Sequence, residues 1–488
     1  MAISRPNTTT FFSPEVNNVL IGAMILMTGI TMSIVLSMGN LGIGALVAFL
    51  PVIFGLIVLI INNPLYGLLF YINYSFFFTG LNRYIVGAPL GLSIDGVLFL
   101  TTLSMIFRLT KDNVKLLNNG ILYTTLLWFL YTLLEITNPD ANKIGSWVYA
   151  VRGISLYAVQ TVPLTLLLFT KKEDLNAFFK IIFGWGIFTA FWGWKQINIG
   201  IDAFEKNWLD VEGKSTHILG DQLRAFSLYS DAGQFGVTMA YVAFLFLIMA
   251  LGPYTTRKKL LYTVGFFVCL IGMGTSGSRG PVFVIFVGII SYLLLVKNYK
   301  ILFPGILSIA LVFSILKFSY IGNANYQIYR VRTALDPKEA SLLVRLENQA
   351  KLRKYLETRP FGSGIGTTDV WAKRFYPGSY LANLPTDSWF VKIWAENGVV
   401  GLSIYAFSLA FVIVMGVVNI RKLRNPDTRQ KMIALYGGFL GIVVASFGNP
   451  VFGQAPLGAL MYISMTILST ATLFDYDVVG KKGLLKNA

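Results

Sequence analysis

The sequence predicts an all-α polytopic membrane protein, with about fourteen transmembrane helices and one large helical loop outside the membrane. Three observations predict it. Of the 488 residues, 55% are hydrophobic and only 13% charged, against about 25% charged in ordinary soluble domains. The apolar residues come in continuous runs, not alternating ones, which disfavours a β-barrel. The basic residues lie between those runs. Their excess over acids, a formal balance of +17, is therefore a topology signal, not a nucleic-acid surface. A soluble enzyme, a disordered tail protein and a secreted disulfide scaffold are excluded; the lone Cys269 has no partner and lies in an apolar stretch, as a buried inert thiol would.

Runs of about 20 apolar residues suffice to cross the hydrocarbon core as a helix. They fall at 18–37, 41–61, 65–81, 90–107, 120–136, 151–169, 176–198, 229–251, 260–276, 280–296, 301–317, 389–418, 432–448 and 456–474. The polar start, Met1 to Asn18, leads into a run too long for a signal-peptide core, so no cleavable signal is expected. Leaving out the loop 318–386, which is too long to count toward orientation, one set of alternate connections holds 19 Lys and Arg and the other 7, which places both termini in the cytoplasm. The chain then divides into 1–228, with spans one to seven and an external loop at 199–228; 229–317, with spans eight to eleven; a large external loop at 318–388; and 389–488, with the last three spans.

Within the large loop, 338–357 is expected to be helical, followed by a Pro/Gly cluster at 359–366. Leu342, Leu346, Leu352 and Leu356 share one helical face, with Arg345 among them. An arginine in such a stripe either snorkels or faces something anionic. No internal repeat, low-complexity tract or separate soluble domain is evident.

Charges at a membrane edge are costly and count as functional candidates. Arg279 sits in Thr275-Ser276-Gly277-Ser278-Arg279-Gly280, a turn between two apolar runs. It is either an interfacial arginine against lipid phosphate or a fixed cation for a phosphate-bearing substrate, since guanidinium binds phosphate bidentately. Arg224 precedes the span beginning near Tyr229; it is either a solvated loop charge or, with Arg279, half of a pyrophosphate grip. Asp387 precedes the run Trp389–Val418 and is placed to cap that helix or to accept a proton from a hydroxyl. His217, the only histidine, is expected to be a solvated loop residue and allows no histidine metal cluster or triad. Gly362-Ser363-Gly364-Ile365-Gly366 lacks the Gly-Lys-Ser/Thr of a phosphate loop and reads as a tight turn. No Cys/His spacing suggests a metal.

Three stretches together resemble the O-antigen ligase and polymerase superfamily of bacterial envelope polysaccharide assembly. They are the run around Arg224, the turn Gly274–Gly280 with its Ser-Arg-Gly, and the segment from Arg345 through Arg359–Gly366 to Asp387–Gly401, which ends in Gly398-Val399-Val400-Gly401. The resemblance covers about residues 220–420; the first 200 add only matching hydropathy.

It implies a metal-independent, cofactor-free glycosyltransferase of the multi-spanning GT-C type in the bacterial inner membrane, with its site facing the periplasm. The donor would be a glycan on undecaprenyl pyrophosphate. The acceptor would be either another lipid-linked repeat (polymerase) or lipid A–core or a protein (ligase), and a chain-length regulator is a further candidate partner. Arg224 and Arg279 would bind pyrophosphate, Arg345 would assist, Asp387 would be the base, and Gly398 and Gly401 would be packing positions. Ligases of this family carry histidine where this chain has Asp387, and Ser230–Gln234 replaces the proline-containing turn usual after the first arginine. The aspartate favours polymerase. A lipid-linked oligosaccharide flippase is the competing class, disfavoured by the lack of matching broken spans in two halves.

Overall fold

The computed structural model describes residues 41–475, apart from 86–89, 220–221, 297–298 and most of 320–339, with isolated positions before 41. The expected span 18–37 and the C-terminal tail thus lie outside the described residues. Among the described residues the regular secondary structure is helical except for one short antiparallel hairpin, Ile218–Leu219 with Gln222–Leu223. Among the described residues, six helices are long and apolar enough to cross a membrane, and four more apolar helices run 10–17 residues. The chain is an all-α membrane protein.

Two neighbouring helices show how burial sorts these elements. Ala232–Ala250 is apolar on every side, and 94% of its apolar window is buried inside the protein; all-round hydrophobicity suits a helix surrounded by others. Thr256–Thr275 is only 17% buried. Its Leu260, Leu261, Val264, Phe267 and Ile271 form an exposed stripe, the signature of a lipid-facing surface. Around the buried helix pack Thr256–Thr275, Gly280–Val296 and Pro426–Ala445. Small residues let these backbones close up: a Cβ at Gly441 would lie 2.6 Å from the Val284 carbonyl oxygen, and one at Gly288 2.7 Å from the Phe244 ring. A second group joins Tyr157–Leu168 to Leu457–Ser469, and Gly120–Leu134 to Trp389–Lys422.

Several expected spans differ in detail. The run 65–81 breaks after Pro64–Ser75 and resumes as the short helix Phe78–Tyr84. The run 151–169 begins earlier, at Ile144, and carries a π-turn over Arg152–Leu156. Arg152 is inside that helix and paired with Asp95, with the two side chains 15% and 24% exposed. An ion pair inside an apolar run is invisible to a charge count, because its partner lies 57 residues away.

The long helix Trp389–Lys422 is kinked at Gly398, whose φ of +66° and ψ of −170° are not helical. The Val400 N–H is turned from the helix ladder to the Pro360 oxygen (3.2 Å), while the Ala395 and Glu396 carbonyls accept from Ser363 (3.0 Å) and Gly364 (2.9 Å). The glycine cluster 362–366 is therefore a turn that satisfies the backbone groups opened by the kink. A Cβ at Gly398 would sit 2.0 Å from the Pro360 oxygen, and one at Gly401 2.7 Å from Tyr131, so both are close-packing positions, as the resemblance implies.

Candidate functional site

At one end of the bundle the start of Ala232–Ala250, the start of Gly280–Val296, the approach to Trp389 and the end of Pro426–Ala445 surround an open cavity of about 840 Å³. The size suits a substantial ligand. Arg224, Arg279, Arg345 and Asp387, the four residues singled out from the sequence, all line it, although they come from segments spread over more than a hundred residues.

Arg224 is held by its neighbours. Its Nε donates to the Ser276 carbonyl (3.0 Å), one terminal nitrogen to the Thr216 carbonyl (2.8 Å), and the other to Ser278 Oγ (2.6 Å). The Ala225 N–H donates to Thr275 O (3.0 Å). The turn carrying Arg279 is thus stitched to the segment carrying Arg224. That turn needs Gly277 at φ +55°, and it lies so close to the buried helix that a Cβ at Gly236 would meet Ser276 Oγ at 2.4 Å.

A buried polar cluster that sequence reasoning missed secures the other side of the Arg224 segment. Arg83 is 3% exposed; it donates to the Ser227 carbonyl (2.6 Å) and to that of Tyr229, and its guanidinium lies 4.4 Å from both the Trp208 and the Phe226 rings. Gln196 Oε1 accepts from the Phe226 and Ser227 amides (3.0 and 2.7 Å), and its Nε2 donates to Glu205 (2.6 Å). Ser227 is thereby held at φ +50°, a strained conformation that persists only where surroundings over-determine it. Nothing local in the sequence links residues 83, 196, 205 and 227.

His217, expected to be solvated, is 3% exposed. It packs edge-on to Trp208 and Phe226, with ring centroids at 5.2 Å for each. Nδ1 lies 2.9 Å from the Gly213 carbonyl, while the buried Nε2 has no partner among the described residues. Burial pushes its pKa below the usual histidine value, opposed by the Gly213 contact and Asp231 and reinforced by Arg224 and Arg83. The correction has a simple cause: the loop folds back on its own aromatics.

Asp387 does not cap the helix that follows. The N-cap is Ser388, whose Oγ donates instead to the Ser446 carbonyl (3.2 Å), and the Trp389 N–H donates to the same oxygen (2.9 Å). This fastens the start of the long helix to the end of Pro426–Ala445. Just upstream, Thr386 donates to Asp369 (2.7 Å), Asp369 pairs with Lys392 (3.0 Å), and Lys392 lies 3.8 Å from the fully buried Glu396. Asp387 itself, with its side chain 47% exposed, faces the cavity and lies 3.6 Å from Arg345 Nε. The arginine in the apolar stripe therefore faces an anion.

Arg345 rides on helix Ala340–Leu356, of which Leu352 and Leu356 dock on Leu381, Leu384 and Ala395. Leu342 and Leu346, on the same face, stay exposed, so only the C-terminal half of the expected stripe is anchored. Among the described residues no group of three or more His, Cys, Asp or Glu is placed to hold a metal ion.

Residues 264–406 match the model of the O-Antigen ligase family. This match spans the Arg279 turn, the helix Ala340–Leu356, Asp387 and the Gly398 kink. An O-antigen polymerase of Salmonella muenchen is 26% identical over 303 residues, covering 58% of this chain and 71% of the relative. With the motifs and the membrane helices, these likenesses make the chain similar, over part of its length, to proteins of the O-antigen ligase and polymerase superfamily.

Proposed function

We propose that this chain is a polysaccharide polymerase of the bacterial inner membrane, moving a glycan from undecaprenyl pyrophosphate to the end of another lipid-linked repeat on the periplasmic side. In this reading the shorter and kinked helices complete about fourteen crossings, and the cavity opens outward. The observation that carries the proposal is the convergence of three arginines and Asp387 on one cavity. The N-terminal ends of Ala232–Ala250 and Gly280–Val296 open on the same space; their partial positive charge adds to that of the arginines and favours an anionic ligand.

In this mechanism the pyrophosphate lies against Arg279 and Arg224, with the lipid tail between helices. The acceptor hydroxyl gives its proton to Asp387 as its oxygen attacks the anomeric carbon. The bond from that carbon to the pyrophosphate oxygen breaks on the opposite face, and its electron pair leaves with the pyrophosphate. Arg224, held by three hydrogen bonds before the substrate arrives, meets the growing negative charge without reorganising. One displacement inverts the anomeric carbon. Among the described residues no second carboxylate for a covalent intermediate lines the cavity near Asp387 except Asp231, which is engaged as the cap of Ala232–Ala250 (2.9 Å to the Gln234 N–H).

The name of the Salmonella relative favours polymerase, and the description of the matched family favours a second reading, ligase. Purified protein given a lipid-linked repeat as sole substrate separates them. A growing ladder of products is expected; product only after lipid A–core is added would make it a ligase, and accumulation of unprocessed donor across the membrane without any transfer would point to a flippase.

A further inference from the structure

The cavity has a small neighbour beside the Arg345–Asp387 pair, a recess of about 10 Å³. That is room for a single water-sized atom. Arg345, Gln349 and Asp387 border both spaces, while Asn348, Leu352 and Ser388 border only the recess. Asp387 thus borders both a chamber large enough for a pyrophosphate and sugar and a niche that fits one oxygen.

The helix Ala340–Leu356 builds this border by periodicity. Positions 345, 348, 349 and 352 follow the i, i+3, i+4, i+7 spacing of one helical face. Leu352, 1% exposed, is sunk in the docking cluster. At 1.5 Å per residue, Asn348 and Gln349 lie about 4.5–6 Å N-terminal to it along the helix axis, which carries their carboxamides out of the apolar cluster to Asp387. Neither side chain has a hydrogen-bond partner among the described residues, and both are partly exposed. A carboxamide donates and accepts at once, as a sugar hydroxyl does. Being neutral, it neither competes for phosphate nor offsets the charge of Asp387.

We infer that the recess is the acceptor subsite: it receives the attacking hydroxyl of a glycan against Asp387, while Asn348 and Gln349 bind the neighbouring hydroxyls of the same sugar and so select the acceptor. The inference rests on the reading of the large cavity as the donor site. It explains why Asn348, which borders only the recess, is uncharged, while Arg224 and Arg279 border only the chamber. The external helix thereby presents hydroxyl-reading groups beside the base.

The test uses the full chain in proteoliposomes, with a lipid-linked repeat as donor and a soluble, lipid-free glycan of one repeat as acceptor, and measures KM for each. Gln349→Met and Asn348→Ala should each raise the acceptor KM about tenfold, the loss of roughly one well-made hydrogen bond to a hydroxyl, and leave the donor KM within about twofold. An unchanged donor KM also shows that the variant is folded. The subsite is overturned if both variants keep the acceptor KM of the parent, or if the donor KM rises in step with it. Arg279→Ala in the same assay separates the two readings. If it raises the donor KM while Gln349→Met leaves the acceptor KM untouched, only the acceptor subsite is lost; if it leaves the donor KM unchanged, the donor reading of the large cavity falls as well.

Discussion

The two walls of the cavity are built differently. On one side Arg224 makes three hydrogen bonds to backbone and Ser278, and the turn bearing Arg279 rests on a helix that is 94% buried. On the other, helix Ala340–Leu356 is docked by two leucines, and Arg345 meets Asp387 through a 3.6 Å pair between partly exposed side chains, a contact worth at most about 1 kcal/mol. The first wall is preorganised and the second adaptable. For the proposed reaction, that difference would suit a donor with an invariant pyrophosphate set against a variable acceptor.

The sharpest challenge to this contrast lies at the seam. Asp387→Asn should cut turnover by about 10²–10⁴ while leaving donor affinity intact, since it removes only the proton acceptor; equal turnover in a single-round transfer assay would remove Asp387 from the reaction. Next comes the preorganised wall. Arg279→Ala should lower transfer by about 10²–10³ and weaken retention of the lipid-linked donor, with unprocessed repeats accumulating on the outer face, as a lipid extraction would reveal.

Stability then tests the adaptable wall. Gly398→Ala should destabilise by more than the roughly 1–3 kcal/mol of a strained residue, because a Cβ would also collide with the Pro360 oxygen at 2.0 Å; a thermal unfolding midpoint within a degree of the parent would contradict the kink. Leu352→Ala should cost about 2–4 kcal/mol locally. It should raise the acceptor KM with little change for the donor, whereas an equal rise in both would mean the two walls are mechanically one.

The smallest effect is the acid response of His217. Its folded pKa lies below the unfolded value near 6.5, so the unfolded chain binds the proton more readily. The stability His217 contributes is present above about pH 6.5 and is lost as pH falls below it. His217→Gln should flatten the loss of thermal stability between neutral and mildly acidic pH; a parallel loss in both proteins would place the acid-sensitive group elsewhere.

Much of this was legible in the sequence for a reason that can be stated residue by residue. Arg279 stood out because two apolar runs leave no room for a charge except at the membrane edge. Arg345 stood out because it interrupts a leucine stripe. Both are local signals. Arg83, Gln196 and Glu205 gave none, since each is an ordinary polar residue until residues 226–229 fold against it. Asp387 read as a helix cap, and its turn toward Arg345 depends on Ser388 being tied to Ser446, 58 residues away.

Apolar run length, charge segregation and glycine-marked turns determined by themselves that this is an all-α membrane protein with its polar chemistry at helix ends. Each of those rests on the cost of placing peptide groups and charges in hydrocarbon, a cost that acts on every segment separately. Which helix is enclosed and which faces lipid, where Arg152 finds Asp95, and that residues 224, 279, 345 and 387 border one cavity were decided only by tertiary structure. Those outcomes depend on close packing and hydrogen bonds between distant segments, and such pairings leave no period or motif in the chain.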